Sequence, residues 1–177
     1  MKRKYILVMD DTGFNHNETQ DEFVRQEKNT FCTLLIPENK FQLASDFMNT
    51  MCTYLNARFK TKEFHFCEMY NKKGSFENLS DEEFIEIIET FIGFMVSQKI
   101  EIITQTLADF TFKENPEIEN AIVNQILKPA QVKVNDKTIS LALAIIKNKK
   151  RVEKELNGEI KAIYCDEGIR KPNSSLT

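Results

Sequence analysis

The hydrophobic positions of this chain fall into short blocks, and the period changes from one block to the next. Tyr5-Ile6-Leu7-Val8-Met9 is continuously apolar and rich in strand formers. Such a run suits a strand covered on both faces, in the middle of an α/β sheet. Residues 31–36 form a second short apolar run, stopped by Pro37, with the polar stretch 14–30 as the connection. After Pro37 the period becomes helical: Phe41, Ala44, Met48, Met51, Cys52, Leu55 and Phe59 recur at three- and four-residue steps. Residues 63–67 alternate, with Phe64 and Phe66 on one side and Glu63, His65 and Cys67 on the other, which predicts a short strand.

A turn at Gly74 leads to Ser80-Asp81-Glu82-Glu83, a capping box that opens a helix with Phe84, Ile87, Ile88, Phe91 and Met95 as its buried stripe. Residues 100–106 favour strand. Asn115-Pro116 is a cap followed by a first-turn proline, for a helix reaching about Leu127 and ended by Pro129. Asp136 is the expected cap of a long helix through Leu156, closed by Asn157-Gly158. A last strand over 160–165 runs into Asp166-Glu167-Gly168, and 169–177 reads as a loose tail. Strands alternate with helices and no repeat or linker interrupts them, so the expectation is one α/β domain over 1–177.

Composition narrows the class. With 177 residues, 41% hydrophobic and 29% charged, the chain is long enough for a real core. No apolar stretch approaches the ~18 residues of a membrane span. The basic start, Met1-Lys2-Arg3-Lys4, precedes an apolar run too short for a secretion signal. The expectation is a cytoplasmic protein with no membrane partner. Cys32, Cys52, Cys67 and Cys165 are widely spaced, without the close pairs of a structural zinc site, and are expected to be reduced thiols. Net charge is −3, yet Lys147, Lys149, Lys150, Arg151 and Lys154 are bunched. They read either as a solvated helix face or as a patch for backbone phosphates.

The candidate chemistry is acidic. The first strand releases Asp10-Asp11-Thr12-Gly13 and the last releases Asp166-Glu167-Gly168. In an open α/β sheet, ligands bind beyond the carboxyl ends of the strands. If the two strands are parallel neighbours, a spacing of ~4.8 Å brings Asp10 and Asp166 within reach of one cation. Glu63 and, on the same side of its segment, His65 are the further candidates. Carboxylates from separate elements suit hard cations such as Mg²⁺ or Mn²⁺. Two such ions ~4 Å apart activate water and stabilise the leaving oxygen in phosphodiester cleavage. Taken singly, each acidic pair also reads as a turn former or cap, Glu63 as a surface residue and His65 as a half-buried polar one. No phosphate loop, dinucleotide fingerprint or nucleophile elbow is present, so no nucleotide cofactor is expected. The adjacent aspartates also depart from the Asp-x-Asp of phosphatases that use an aspartyl nucleophile.

With these residues in view, the sequence resembles domain-of-unknown-function family 3800, whose members have a ribonuclease H-like fold. Asp10-Asp11-Thr12-Gly13 is similar to the family's opening Asp-Glu-Ser/Thr-Gly, Glu63-Phe64-His65 to its central Glu-x-His, and Asp166-Glu167 to its late Asp-Glu pair. The similarity runs from about residue 4 to 170. Two departures stand out: Asp11 replaces a glutamate, and family members continue to a terminal helix bearing an Ala-Asp pair. The resemblance implies that this helix gives the last acidic ligand. The chain is therefore expected to be a fragment or a shortened member with an incomplete site, exposing an apolar face suited to a homodimer.

The resemblance implies a ribonuclease H-like α/β fold with a mixed central sheet and flanking helices. Its first strand would be central and antiparallel to its hairpin partner, and the strand before Asp166 would lie in the parallel part. The functional expectation is a Mg²⁺- or Mn²⁺-dependent nuclease or related phosphoryl-transfer enzyme acting on nucleic acid. Asp10 would bridge metals, with Glu63 and Asp166 completing the ligands and Asp11 or Glu167 standing behind them. His65 would orient the attacking water or the leaving group. The alternative is a catalytically silent module of the same fold that recognises a protein or nucleic acid.

Overall fold

A computed structural model describes residues 2–12, 28–61, 66–108 and 114–165. The chain forms two compact units, Met1–Glu38 with Ile102–Thr177 and, between them in sequence, Asn39–Glu101.

The first is a sheet unit. Strands β1 (Arg3–Thr12), β2 (Lys28–Pro37), β3 (Glu101–Ala108) and β4 (Gly158–Cys165) form one sheet in the order β3-β2-β1-β4. β1 is internal, antiparallel to β2 and parallel to β4, so the sheet is mixed. The fully apolar run in β1 follows from this place: Tyr5, Leu7 and Met9 are buried on one face and Ile6 on the other. Both early strands are longer than their apolar runs. β1 continues through Thr12, paired with Thr30, so Asp10 and Asp11 lie within the ladder rather than beyond it.

Helix α4 (Pro116–Ile122) begins on the expected first-turn proline and continues as a π-turn, Val123–Leu127. Helix α5 (Asp136–Lys150) continues as a second π-turn, Arg151–Glu155. Its cap is Asn135, one residue before the expected Asp136. The Asn135 side chain accepts from the Thr138 amide at 2.9 Å and the Thr138 hydroxyl accepts from the Asn135 amide at 3.0 Å. The reciprocal pair satisfies two helix-end donors, which decides the start.

From α5, Leu141 and Ala144 join Tyr5, Leu7, Met9, Phe31, Leu35 and Val152 in the main core. Ile139 and Ala142 join Ile122 and Leu127 in a second cluster. Each large side chain buried in this way contributes about 1.5–3 kcal/mol. At the entry to β4, Asn157 has φ 49°, and a Cβ at Gly158 would meet the Tyr5 ring at 2.7 Å and the Arg3 carbonyl at 2.8 Å. Only glycine lets β4 lie down beside β1.

The second unit is helical: α1 (Phe41–Phe59), α2 (Phe66–Tyr70) and α3 (Asp81–Gln98). Its core holds Met51, Leu55, Phe59, Met69, Phe76, Leu79 and Ile87. The predicted stripe of α1 is corrected at two positions. Met48 and Cys52 are exposed, and Phe47 turns inward, stacked on Phe94 at 3.9 Å and edge-on to Phe91 at 5.7 Å. The predicted strand over 63–67 is corrected where it is described. Phe66 and Cys67 open a helical turn that delivers Met69 to the core with no exposure. The capping box of α3 forms as expected, with Ser80 and Glu83 bonding each other's amides. Of its predicted stripe, Ile87 is buried, Phe84, Ile88 and Phe91 pack partly against the core, and Met95 is half-buried.

Among the described residues, no helix is long and apolar enough to cross a membrane. Cys32, Cys52 and Cys165 form no disulfide.

Candidate functional site

The site is built on the end of β1, where the pleat sends adjacent side chains to opposite faces. Asp11 continues the series Tyr5, Leu7, Met9 towards the face that α5 covers, and Asp10 continues Ile6 and Val8 on the other. The two aspartates therefore have different surroundings.

Asp11 is mostly hidden, its side chain 14% exposed, and its Oδ1 lies 2.8 Å from Lys137 Nζ. Lys137 is in the first turn of α5, placed there by the Asn135–Thr138 cap. A cation at a helix N-terminus opposes the macrodipole, and the Asp11 carboxylate offsets that cost. Sequence reasoning did not single out Lys137. Nothing local in the sequence ties Lys137 to Asp11.

Asp10 is exposed, and its Oδ1 accepts from the Asp11 amide at 2.9 Å. Opposite it in the ladder is Cys32. Burial, and then the negative charge of Asp10, push the Cys32 thiol above its usual range. It therefore stays protonated near neutral pH and is a poor nucleophile. Also towards this end of the sheet, the hydroxyls of Thr30 and Thr106 are 2.9 Å apart.

The parallel neighbour, β4, has Cys165 opposite Met9. Asp166 and Glu167 follow immediately in the sequence and lie outside the described residues, as do Glu63 and His65 and the tail 169–177. Of the predicted acidic site, the described part is thus Asp10 and Asp11. Among the described residues, no three His, Cys, Asp or Glu side chains group as a metal site. Of these two, Asp10 offers the exposed, hard oxygen donors that Mg²⁺ or Mn²⁺ takes.

The basic residues are on α5 and the turn after it, and most of them have work within the sheet unit. Lys147 Nζ donates to the Thr104 carbonyl of β3 at 2.7 Å. Lys149 lies 3.8 Å from Glu153, and Arg151 pairs with Glu155. Lys150 and Lys154 are exposed. Lys147 thus ties α5 to β3, the strand at one end of the sheet order among the described residues.

No protein-family model matches this chain, and neither a curated protein nor a solved structure gives a significant match to it.

Proposed function

We propose that this chain is a divalent-metal-dependent nuclease, or a related phosphoryl-transfer enzyme acting on nucleic acid, with a ribonuclease H-like arrangement of its sheet. The reading rests on the parallel pairing of β1 and β4, with Met9 opposite Cys165. Each of these residues immediately precedes an acidic pair in the sequence, Asp10-Asp11 and Asp166-Glu167. Support for the ribonuclease H-like arrangement comes from an internal first strand, antiparallel to β2 and parallel to the last strand.

In this reading Asp10, Glu63 and Asp166 hold Mg²⁺ or Mn²⁺, and Asp11, fixed by Lys137, stands behind them. A bound ion supplies charge neutralisation and a water of lowered pKa. His65 orients that water or the leaving group. Lys150 and Lys154, with Lys147, Lys149 and Arg151 beside them, would meet backbone phosphates on the α5 side of the sheet, away from Asp10.

The test is Asp10→Asn. Mn²⁺-dependent cleavage of nucleic acid should fall at least about a hundredfold, with circular dichroism and melting in metal-free buffer unchanged. A variant that cleaves as fast as the parent overturns the assignment.

One observation favours a second reading, a catalytically silent module that recognises a protein or nucleic acid. The opening pair already has one carboxylate neutralised by the protein's own Lys137. A ligand that binds only the folded state raises its apparent stability. The nuclease reading requires Mn²⁺ to raise the melting temperature, and Asp10→Asn to remove the rise. No rise in the parent selects the silent module.

A further inference from the structure

We propose that α3 is a homodimerisation element, through which two copies of this chain pair antiparallel. The proposal is independent of the acidic site. It starts from an excess of apolar surface: Ile85 and Ile92 are 53% and 51% exposed, and Val96 beside them is 71% exposed. One side of the helix carries Asp81, Ile85, Ile88, Ile92 and Met95 at steps of four, three, four and three, and Lys99 follows four residues later as the left-handed C-cap. That is the spacing of a helix that packs against another along a narrow seam. Ile88 and Met95 are half-buried, while Asp81 and Lys99 at the two ends are exposed.

The occupant follows from the symmetry of the pattern. The spacing reads the same in both directions about Thr90, and a two-fold interface requires one patch to complement itself. Antiparallel pairing about Thr90 sets Ile88 against Ile92, Ile85 against Met95, and Asp81 against Lys99. Charge selects the same orientation. The first turn of α3 carries Asp81, Glu82 and Glu83, and Lys99 caps the other end. Antiparallel helices bring opposite charges together at both ends and oppose their dipoles, whereas parallel helices would stack acid on acid. The Asp81 carboxylate already lies 2.7 Å from Lys72, yet its side chain is 81% exposed, so a second cation has room to approach.

A single helix pair falls at the low end of specific interfaces, below about 1,200 Å², so the dimer should be weak and concentration-dependent. Sedimentation of the full chain over a wide concentration range reads this directly. Ile92→Glu buries a charge in the centre of the seam and should weaken the dimer about a hundredfold. Lys99→Glu should weaken it roughly tenfold. Both positions are exposed, so circular dichroism and melting at low concentration should match the parent. Ile118→Glu, in the apolar groove between α4 and α5, is the control and should leave the dimer intact.

Orientation is read by oxidative cross-linking. Copies with Ile85→Cys should join copies with Met95→Cys. Two Ile85→Cys copies should not join, because antiparallel pairing holds those positions about 15 Å apart along the axis. The proposal is overturned by a parent that is monomeric throughout, by a dimer that survives Ile92→Glu or dissociates on Ile118→Glu, or by a dominant cross-link between two Ile85→Cys copies.

Discussion

Helices α3 and α5 are of similar length, and their surfaces are used in opposite ways. α3 carries Phe84, Ile85, Ile87, Ile88, Phe91, Ile92, Phe94, Met95 and Val96, yet of these only Ile87 is buried. α5 has a shorter apolar run, and from Thr138 to Ala144 every residue except the half-buried Leu143 is hidden. The cause is the number of neighbours. α5 gives Leu141 and Ala144 to the core formed with β1 and β2, and Ile139 and Ala142 to the cluster with α4. α3 gives its unit one flank. Apolar content alone does not tell a buried helix from one with surface to spare; layers on both sides do.

The largest test of this difference is a pair of truncations. Leu141→Ala removes a side chain held between the sheet and α5, and should cost about 2–5 kcal/mol in chemical denaturation. Ile92→Ala, on the open side of α3, should cost less than about 1 kcal/mol at concentrations where the chain is monomeric. Comparable losses would mean that α3 is covered as fully as α5, and the contrast would fail.

The two helices also begin differently, and this shows where the sequence was legible. The Ser80–Glu83 box of α3 could be read directly because cap and partner are three residues apart. So could the strand character of 5–9 and of 31–36, which depends on local runs. The features that give α5 its place are long-range. Asn148, fully buried, donates to Thr33 across a separation of 115 residues and to the Ala144 carbonyl. Lys137 finds its partner in Asp11, at the other end of the fold in sequence. No period or spacing announces such pairs.

In α1, two overlapping apolar stripes were open to the same sequence, one through Met48 and one through Phe47. The packing of Phe47 edge-on to Phe91 and stacked on Phe94 chose between them. The two carboxylate pairs were legible beside apolar runs, and the parallel register of β1 and β4 needed the fold.

A middle-sized effect belongs to the start of α5. Asp11→Ala leaves Lys137 facing the helix dipole without a counter-ion, and should destabilise the protein by about 1 kcal/mol. Removing Lys137 as well should recover part of that loss. A double-mutant cycle with no coupling would show that the 2.8 Å contact contributes nothing to stability.

The smallest effect separates the two caps by pH. Glu83 holds its carboxyl below the usual carboxylate range, chiefly through its bond from Arg58 and then through the Ser80 amide. A lowered folded-state pKa stabilises the fold above the unfolded value of about 4.3, and the gain is lost as pH falls through the lowered folded value. The cap of α5 uses Asn135 and Thr138, neither of which titrates. On acidification below about pH 4, amides in the first turn of α3 should therefore lose hydrogen-exchange protection before those of α5, once intrinsic exchange rates are corrected for pH. Glu83→Gln keeps an acceptor for the Ser80 amide but removes the charge, so it should flatten the response of α3 and leave that of α5 unchanged. Equal loss of protection in both helices of the parent would mean that acid acts on the whole fold and that Glu83 does not set the difference.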